Sequence, residues 1–520
     1  MRAQSLGWLL ILLIFGGLLW CDGLFPWNED PRYPTNDDTW MYLAVASSWA
    51  DHGVLPYRDI ASEDKTPFLL ILYRLAYERF GEMAPVAMQI LGAIASGLTT
   101  IFLFLLGRDL YGERAGLLAA GAWTMAAGSE WVTATPFVGT EVFAVCLACA
   151  GWLSLRRGYA HRSSLALLLA GLLLGGAFGF KQPWALEILA ATALIAFHWR
   201  MGLPAVAAFS AGLLATMSAI TAYLARLGVL ADAWQVCIVN PLTGTRGAVA
   251  WYERVYRLAH RLFSYVGMGA PWFAFGVLGL SRARSGWKEP RRDRLVLLYW
   301  TVSALLGSLA AGKLFTYQLQ QFLAPLCLLA ALGLDAAWVL LLQLRDRRVA
   351  IAPASVAACG VAFMCLLTIS PFVTAQLDMG ALWISRLQRG GPVPRGVPEA
   401  KLSAADFVQE HTDPSDEIFI WGQADYLYFL SGRKPGARHL NLILAARSDA
   451  AKDSIIRELR ADPPRLIIVE ERGALKQDSE FTQLDSLIAD RYEHAAAFPS
   501  LRLDCYLRQD DTSRRPGSAR

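Results

Sequence analysis

Charge is what this chain most lacks. Only 18% of its 520 residues are Asp, Glu, Lys or Arg, where a soluble domain carries about a quarter. The shortage is uneven, because long apolar runs alternate with short charged loops. That alternation is the pattern of a polytopic helical membrane protein. A disulfide framework is also missing. Of the eight cysteines, Cys146, Cys149, Cys237, Cys327, Cys359 and Cys365 lie in or beside apolar runs, where cysteine behaves as a small buried hydrophobe. Cys146 and Cys149 form a CxxC, but with no flanking metal ligands. Cys21 and Cys505 fall in expected outer regions and leave one bond open. There is no phosphate-cradling GxxxxGK[ST], no HExxH and no nucleophile triad. The seven histidines are scattered without ligand spacing, internal repeats are absent, and no nucleic-acid partner is expected.

What is present is about eleven apolar runs long enough to span a bilayer, allowing for short and tilted members. They cover roughly 6–20, 84–107, 115–130, 137–155, 164–179, 184–198, 203–224, 263–281, 295–311, 322–344 and 349–371. The fifth and sixth are short, with one broken hairpin that does not cross fully as the alternative. The first run follows Arg2, and Trp20, Cys21 and Asp22 make a poor cleavage site, so a retained signal-anchor is expected. With the N-terminus inside, the dense basic loops share one side: Arg108 and Arg114, then Arg156, Arg157 and Arg162, then Arg200, then 281–294, then Arg345, Arg347 and Arg348. The positive-inside rule makes that side cytoplasmic. The expected location is therefore the inner (cell) membrane, multi-pass, with the C-terminus extracytoplasmic.

The composition changes near residue 396. ADFVQEHTDPSDEIFIWG reads as helix, turn, strand; 447–461 is an amphipathic helix; RLIIVE is a short buried strand; 480–491 is helical; 493–508 is a closing strand pair. The fold class expected is thus a polytopic α-helical membrane protein with a small extracytoplasmic α/β domain at its C-terminus. The division is 1–375 for the transmembrane domain with a first outer loop at 21–83, then 376–510 for the α/β domain and 511–520 for a disordered tail.

The first outer loop holds the polar stretch NDDTWMYLAVASSWADHGVLPYRDIASEDKTP, from Asn36 to Pro67. Its acids are Asp37, Asp38, Glu63 and Asp64, with Lys65 beside the second pair. Between them Trp40, Tyr42, Leu43, Val45 and Trp49 mark a helix with a wide apolar stripe, expected to lie in the membrane interface. Acids and a lysine at a membrane surface suit chemistry on a phosphate-bearing lipid. Helix capping by Asn36 or Asp37 is the competing explanation for the first pair.

The D-x-x-x-Y of Asp38 and Tyr42, the G-x-x-P-Y-x-D of Gly53, Pro56, Tyr57 and Asp59, and the acid–Lys–x–Pro of Asp64, Lys65 and Pro67 resemble one family. It is that of the GT-C glycosyltransferases using polyprenyl-phosphate sugars: the glycosyltransferase family 39-like protein O-mannosyltransferases and the lipid A aminoarabinose transferases. The resemblance implies Asp38 as catalytic base, and Lys65 with Asp64 and Tyr57 at the donor phosphate. It allows a divalent metal at Asp64 and Glu141, the latter standing where the family usually has aspartate. Lys313 and Tyr317 resemble the family's basic-x-x-x-Tyr segment that contacts lipid phosphate. Lys181, on the outer side against the charge trend, and Arg246, in an aromatic outer loop, are further anion-binding candidates, with interfacial anchoring as the alternative.

The activity implied is transfer of a sugar from a polyprenyl-phosphate carrier, with inversion, to a lipid, glycan or protein acceptor on the outer face. A lipid or sugar transporter (flippase) is the rival from another class. It requires charges near the bilayer midplane and paired broken helices in a repeat, whereas the acids gather in an outer loop. A non-catalytic membrane scaffold is the third possibility, and loss of activity on Asp38→Asn with normal folding separates the first from both.

Overall fold

The computed structural model describes residues 5–14, 37–60, 66–127, 139–199, 201–240, 276, 291–310, 320–346, 399–440, 449–470 and 482–509. They fall into two compact units. The helical unit takes Met1–Trp27, Gln89–Ile220 and Trp251–Val393; the mixed unit takes Asn28–Met88, Thr221–Ala250 and Pro394–Arg520.

The helical unit is built from long apolar helices, among them Glu113–Ala127, Thr140–Ala160, Ser164–Phe180, Leu203–Arg226, Arg291–Ala310 and Gln320–Asp346. Leucine and alanine on every side let such helices bury one face and leave the other for lipid. The buried side holds Trp152, Trp184, Trp300 and Phe209, while Leu165, Leu189, Phe197, Leu203 and Leu214 stay exposed. Glycine sets the tightest approach. A Cβ on Gly171 would strike the Phe209 carbonyl, and one on Gly212 the Leu168 carbonyl, so the Ser164–Phe180 and Leu203–Arg226 helices meet backbone to backbone. The N-terminal helix Ser5–Ile14 packs Leu9 against Phe104 and Ala120. Its Ser5 hydroxyl donates to Glu113 at 2.8 Å.

Three described helices are long and apolar enough to cross a membrane: Pro67–Tyr111, Leu203–Arg226 and Gln320–Trp338. Ser5–Ile14, Ser164–Phe180, Leu230–Val239 and Leu295–Ala310 are shorter apolar helices. The described residues do not establish the eleven spans expected. The runs at 263–281 (Gly276 apart) and 349–371 lie outside the described residues. The run expected at 84–107 extends backward instead, because only the one-turn segment Gly81–Met83 separates it from Pro67–Phe80. The run at 184–198 is irregular: the 3₁₀ turn Gln182–Trp184 precedes the helix Ala185–Ala193, which continues as the π segment Leu194–Trp199.

In the mixed unit the first-loop helix is Asp37–His52. It does not lie with a stripe facing out. Residues 39–49 are all buried, Trp40, Tyr42 and Leu43 at 1% exposure or less. Seven apolar residues in a row, Trp40 to Ala46, cover every side of a helix, and such a helix belongs inside. Its neighbours supply the walls: Tyr42 meets Tyr73 at 5.2 Å, and Trp40 meets Tyr426 at 6.0 Å and Phe429 at 5.9 Å. Pro67 opens the following helix at a position where its missing N–H costs nothing.

The C-terminal part is the α/β fold expected. Its five strands are β1 (Glu417–Trp421), β2 (Lys434–Pro435), β3 (Leu466–Glu470), β4 (Tyr492–Phe498) and β5 (Leu503–Arg508). They form one sheet in the order β2-β1-β3-β5-β4. β1 runs parallel to β2 and β3, and β5 antiparallel to β3 and β4. Helices Glu399–His411, Tyr426–Ser431, Asp449–Ala461 and Thr482–Arg491 accompany it. Phe419, Ile467, Ile455, Leu459 and Leu487 make its core. Cys505 on β5 is buried and free, its thiol pushed up to about 12 by burial.

Candidate active site

The described structure holds expected site residues in two places, one in each unit. In the helical unit, a three-residue connection (His161 to Ser163) turns the Thr140–Ala160 helix back into Ser164–Phe180. Two antiparallel helices of similar length bring the start of one beside the end of the other. Glu141 in the first turn of one therefore meets Lys181, the C-cap of the other. Each charge also suits its helix terminus. Lys181 Nζ donates to Glu141 Oε1, and the Thr140 hydroxyl donates to Oε2 at 2.8 Å. The side chains are 3% and 18% exposed for glutamate and lysine. At the other end of the same helix Arg157 pairs with Asp109 at 2.9 Å, and Arg108 with the same carboxylate at 2.9 Å. Sixteen residues separate Glu141 from Arg157, about 24 Å of helix, so the two charge clusters sit nearly one hydrocarbon thickness apart.

This arrangement bears on the metal expected at Glu141. Both of its oxygens accept hydrogen bonds, one from a lysine that already neutralises it, so the setting fits an ion pair and not a cation site. Among the described residues no three His, Cys, Asp or Glu side chains gather as a metal would need. Asp64, the other expected ligand, lies outside the described residues, as do Lys65, Arg246, Lys313 and Tyr317.

A second acid in the helical unit escaped the sequence reading. Glu187 is fully buried. Trp152 Nε1 donates to its Oε2 at 2.7 Å and Gln321 Nε2 to its Oε1 at 2.9 Å. The signal was available: one carboxylate in the run WALEILAATA is costly in an apolar setting and so a functional candidate.

In the mixed unit, Asp38 is half-buried at the start of the first-loop helix, beside a wholly buried residue 39–49 stretch. Tyr57 is 1% exposed, with its hydroxyl hydrogen-bonded to Cys237; burial, then the thiol, raises its pKa well above the usual phenol value. The turn around it is closed by backbone bonds from Asp59 N to Leu55 O (2.9 Å) and Tyr57 N to Ile60 O (2.7 Å). The Asp59 carboxylate accepts from Leu55 N at 2.8 Å, so the last letter of the G-x-x-P-Y-x-D motif shapes the turn. Arg58 reaches the Gly228 carbonyl and, at 3.4 Å, Asp232. The structure thus joins Glu141 to Lys181; Asp38 and Tyr57 both belong to the other unit, each with its own neighbours.

Comparison with known proteins gives concordant likenesses. Residues 64–224 match the family model described as dolichyl-phosphate-mannose-protein mannosyltransferase. The apo oligosaccharyltransferase of Archaeoglobus fulgidus is similar in structure, with TM-score 0.58 and 13% identity over 89% of this chain and 69% of that one. ArnT from Cupriavidus metallidurans is similar with TM-score 0.57 and 15% identity, over 97% of this chain and 98% of that one. The arabinofuranosyltransferase AftD from Mycobacteria gives TM-score 0.51 and 15% identity over 96% of this chain and 40% of that one. Structures of the Archaeoglobus protein also exist with an inhibitory peptide and a dolichol-phosphate, and with Zn and sulfate. No curated protein sequence matches significantly.

Proposed function

From a chain with the GT-C fold of these glycosyltransferases, we propose a membrane glycosyltransferase that takes a sugar from a polyprenyl-phosphate carrier and passes it to an acceptor on the extracytoplasmic face. The observation that carries the reading is Asp38. In a helix whose next eleven residues are buried, it keeps partial access. A carboxylate so placed stands at the partly exposed start of a helix whose backbone is held rigidly from below.

The step follows from that group. The acceptor hydroxyl attacks the anomeric carbon; the bond from that carbon to the carrier phosphate breaks; the phosphate leaves with the electron pair, and Asp38 takes the hydroxyl proton. Attack from the face opposite the leaving group inverts the centre. Lys65, with Lys313 or Lys181, neutralises the departing phosphate. For Lys181 the carrier phosphate competes with Glu141 for the same ammonium. The dolichol-phosphate held by the Archaeoglobus relative supports a carrier of this class.

Glu187 is the observation that favours a transporter, since buried intramembrane acids mark ion and substrate paths. One experiment separates the readings. Purified protein is given radiolabelled polyprenyl-phosphate sugars, and loss of sugar from the carrier is followed for wild type and Asp38→Asn. One donor consumed by wild type alone is the expected result. Binding without turnover by either protein would move the transporter reading forward.

A further inference from the structure

Tyr57 has φ +72°, a left-handed conformation that a residue bearing a Cβ adopts only at a cost. Such a residue persists where its surroundings over-determine it, and it clusters at functional sites. Three sets of contacts do so here. The ring is enclosed and its hydroxyl bonded to Cys237. The next residue, Arg58, is tied to the 228–232 segment. The third holds the backbone: Arg438 Nη2 donates to the Tyr57 carbonyl at 2.5 Å, across 381 positions of sequence. Arg438 is itself fixed, its N–H donating to Glu458 Oε2 at 2.9 Å. Nearby, the His52 ring meets the Gly432 carbonyl at 3.1 Å.

We propose that Arg438 is a positioning residue for the first-loop turn, so that the C-terminal α/β domain is a working part of the catalytic unit and not only a cover or an acceptor platform. Guanidinium suits the task. It is planar, permanently charged and rigid, and a charged donor on a carbonyl makes a stronger bond than a neutral one. Tyr57 is itself one of the residues that the family resemblance puts at the donor phosphate, so an error in the clamped turn reaches that group directly. This role rests on the transferase reading.

The test compares wild type, Arg438→Ala and Arg438→Lys in detergent, with three readouts. The first is turnover of the carrier-linked sugar. Arg438→Ala is expected to lose on the order of a hundredfold in kcat/KM, the scale of a misplacement near 1 Å, with its unfolding midpoint close to wild type. Low-millimolar guanidinium restores part of the loss, and Arg438→Lys falls between, because ammonium keeps the charge but not the fork. The second readout is trypsin cleavage after Arg58, followed by mass spectrometry. It accelerates in Arg438→Ala, because the clamp on the neighbouring carbonyl is gone. Activity within about twofold of wild type in folded Arg438→Ala would overturn the proposal. So would a loss that tracks the third readout, a fallen midpoint, without guanidinium recovery. If wild type itself turns over no carrier-linked sugar, the transferase reading fails, and the trypsin result alone decides whether the clamp exists.

Discussion

A glutamate at 3% exposure keeps its charge only when something answers it. For Glu141 the answer is Lys181, and the arithmetic of such pairs is lopsided. Two desolvated charges gain little net over a well-packed apolar pair, yet removing one strands the other at about 3–5 kcal/mol. Lys181→Met is therefore expected to lower stability by roughly that amount. Adding Glu141→Leu should return most of it, a coupling read from thermal unfolding of the two single variants and the double. If the double is as unstable as the sum of the singles, the two side chains are not a pair in solution. Glu187 is answered differently, among the described residues by neutral donors that include Trp152 and Gln321. Both acids occupy apolar helices, and only one drew notice in the sequence. Glu141 was visible because a motif pointed to it; Glu187 had only its cost in hydrocarbon to betray it.

Among elements, the helical hairpins depend on glycine where two backbones touch. Gly171 faces the Phe209 carbonyl and Gly212 the Leu168 carbonyl. No flexible side chain can yield there, since the obstacle is main chain. Gly171→Leu should push the Ser164–Phe180 and Leu203–Arg226 helices apart and reduce the yield of folded protein. Gly176→Ala, whose Cβ would meet only the Leu147 side chain, should be mild. Monodispersity on size exclusion ranks the two, and equal behaviour would mean the helices are not in backbone contact. At this scale the sequence was generous. Every helix and strand expected beyond residue 396 is found, because each carried its own period or strand-forming run. What it could not disclose was the surrounding of Asp37–His52. Amphipathic appearance suggested a surface element, but its partners Tyr426 and Phe429 lie some 380 residues on, and no local pattern announces them. The Arg438 clamp was illegible for the same reason.

For the molecule as a whole, acid is the expected weakness of the mixed unit. His439 has a pKa below the usual imidazole value, chiefly through burial; Glu458 pulls it up and Arg438 pushes it down. An unfolded histidine titrates near 6.5, so below that pH the unfolded chain binds a proton the folded one resists. Stability thus rises with pH through this window and falls on acidification from about 6.5 toward the lower folded value. His439→Gln should flatten that part of the profile while leaving stability at pH 8 nearly unchanged, as followed by thermal melts across pH. An unchanged slope would assign the acid sensitivity elsewhere.

The mixed unit is sewn from three distant stretches of chain, and that has a consequence for how the protein is made. A ribosome finishes the Asp37–His52 helix some 350 residues before it begins Glu399–His411. At bacterial or eukaryotic elongation speeds this is roughly twenty to seventy seconds. Throughout that interval Trp40 and the apolar residues beside it lack Tyr426 and Phe429. The nascent chain must shelter them in the translocation machinery, in lipid or on a chaperone, and a cell short of that shelter would lose this protein before its last hundred residues were translated.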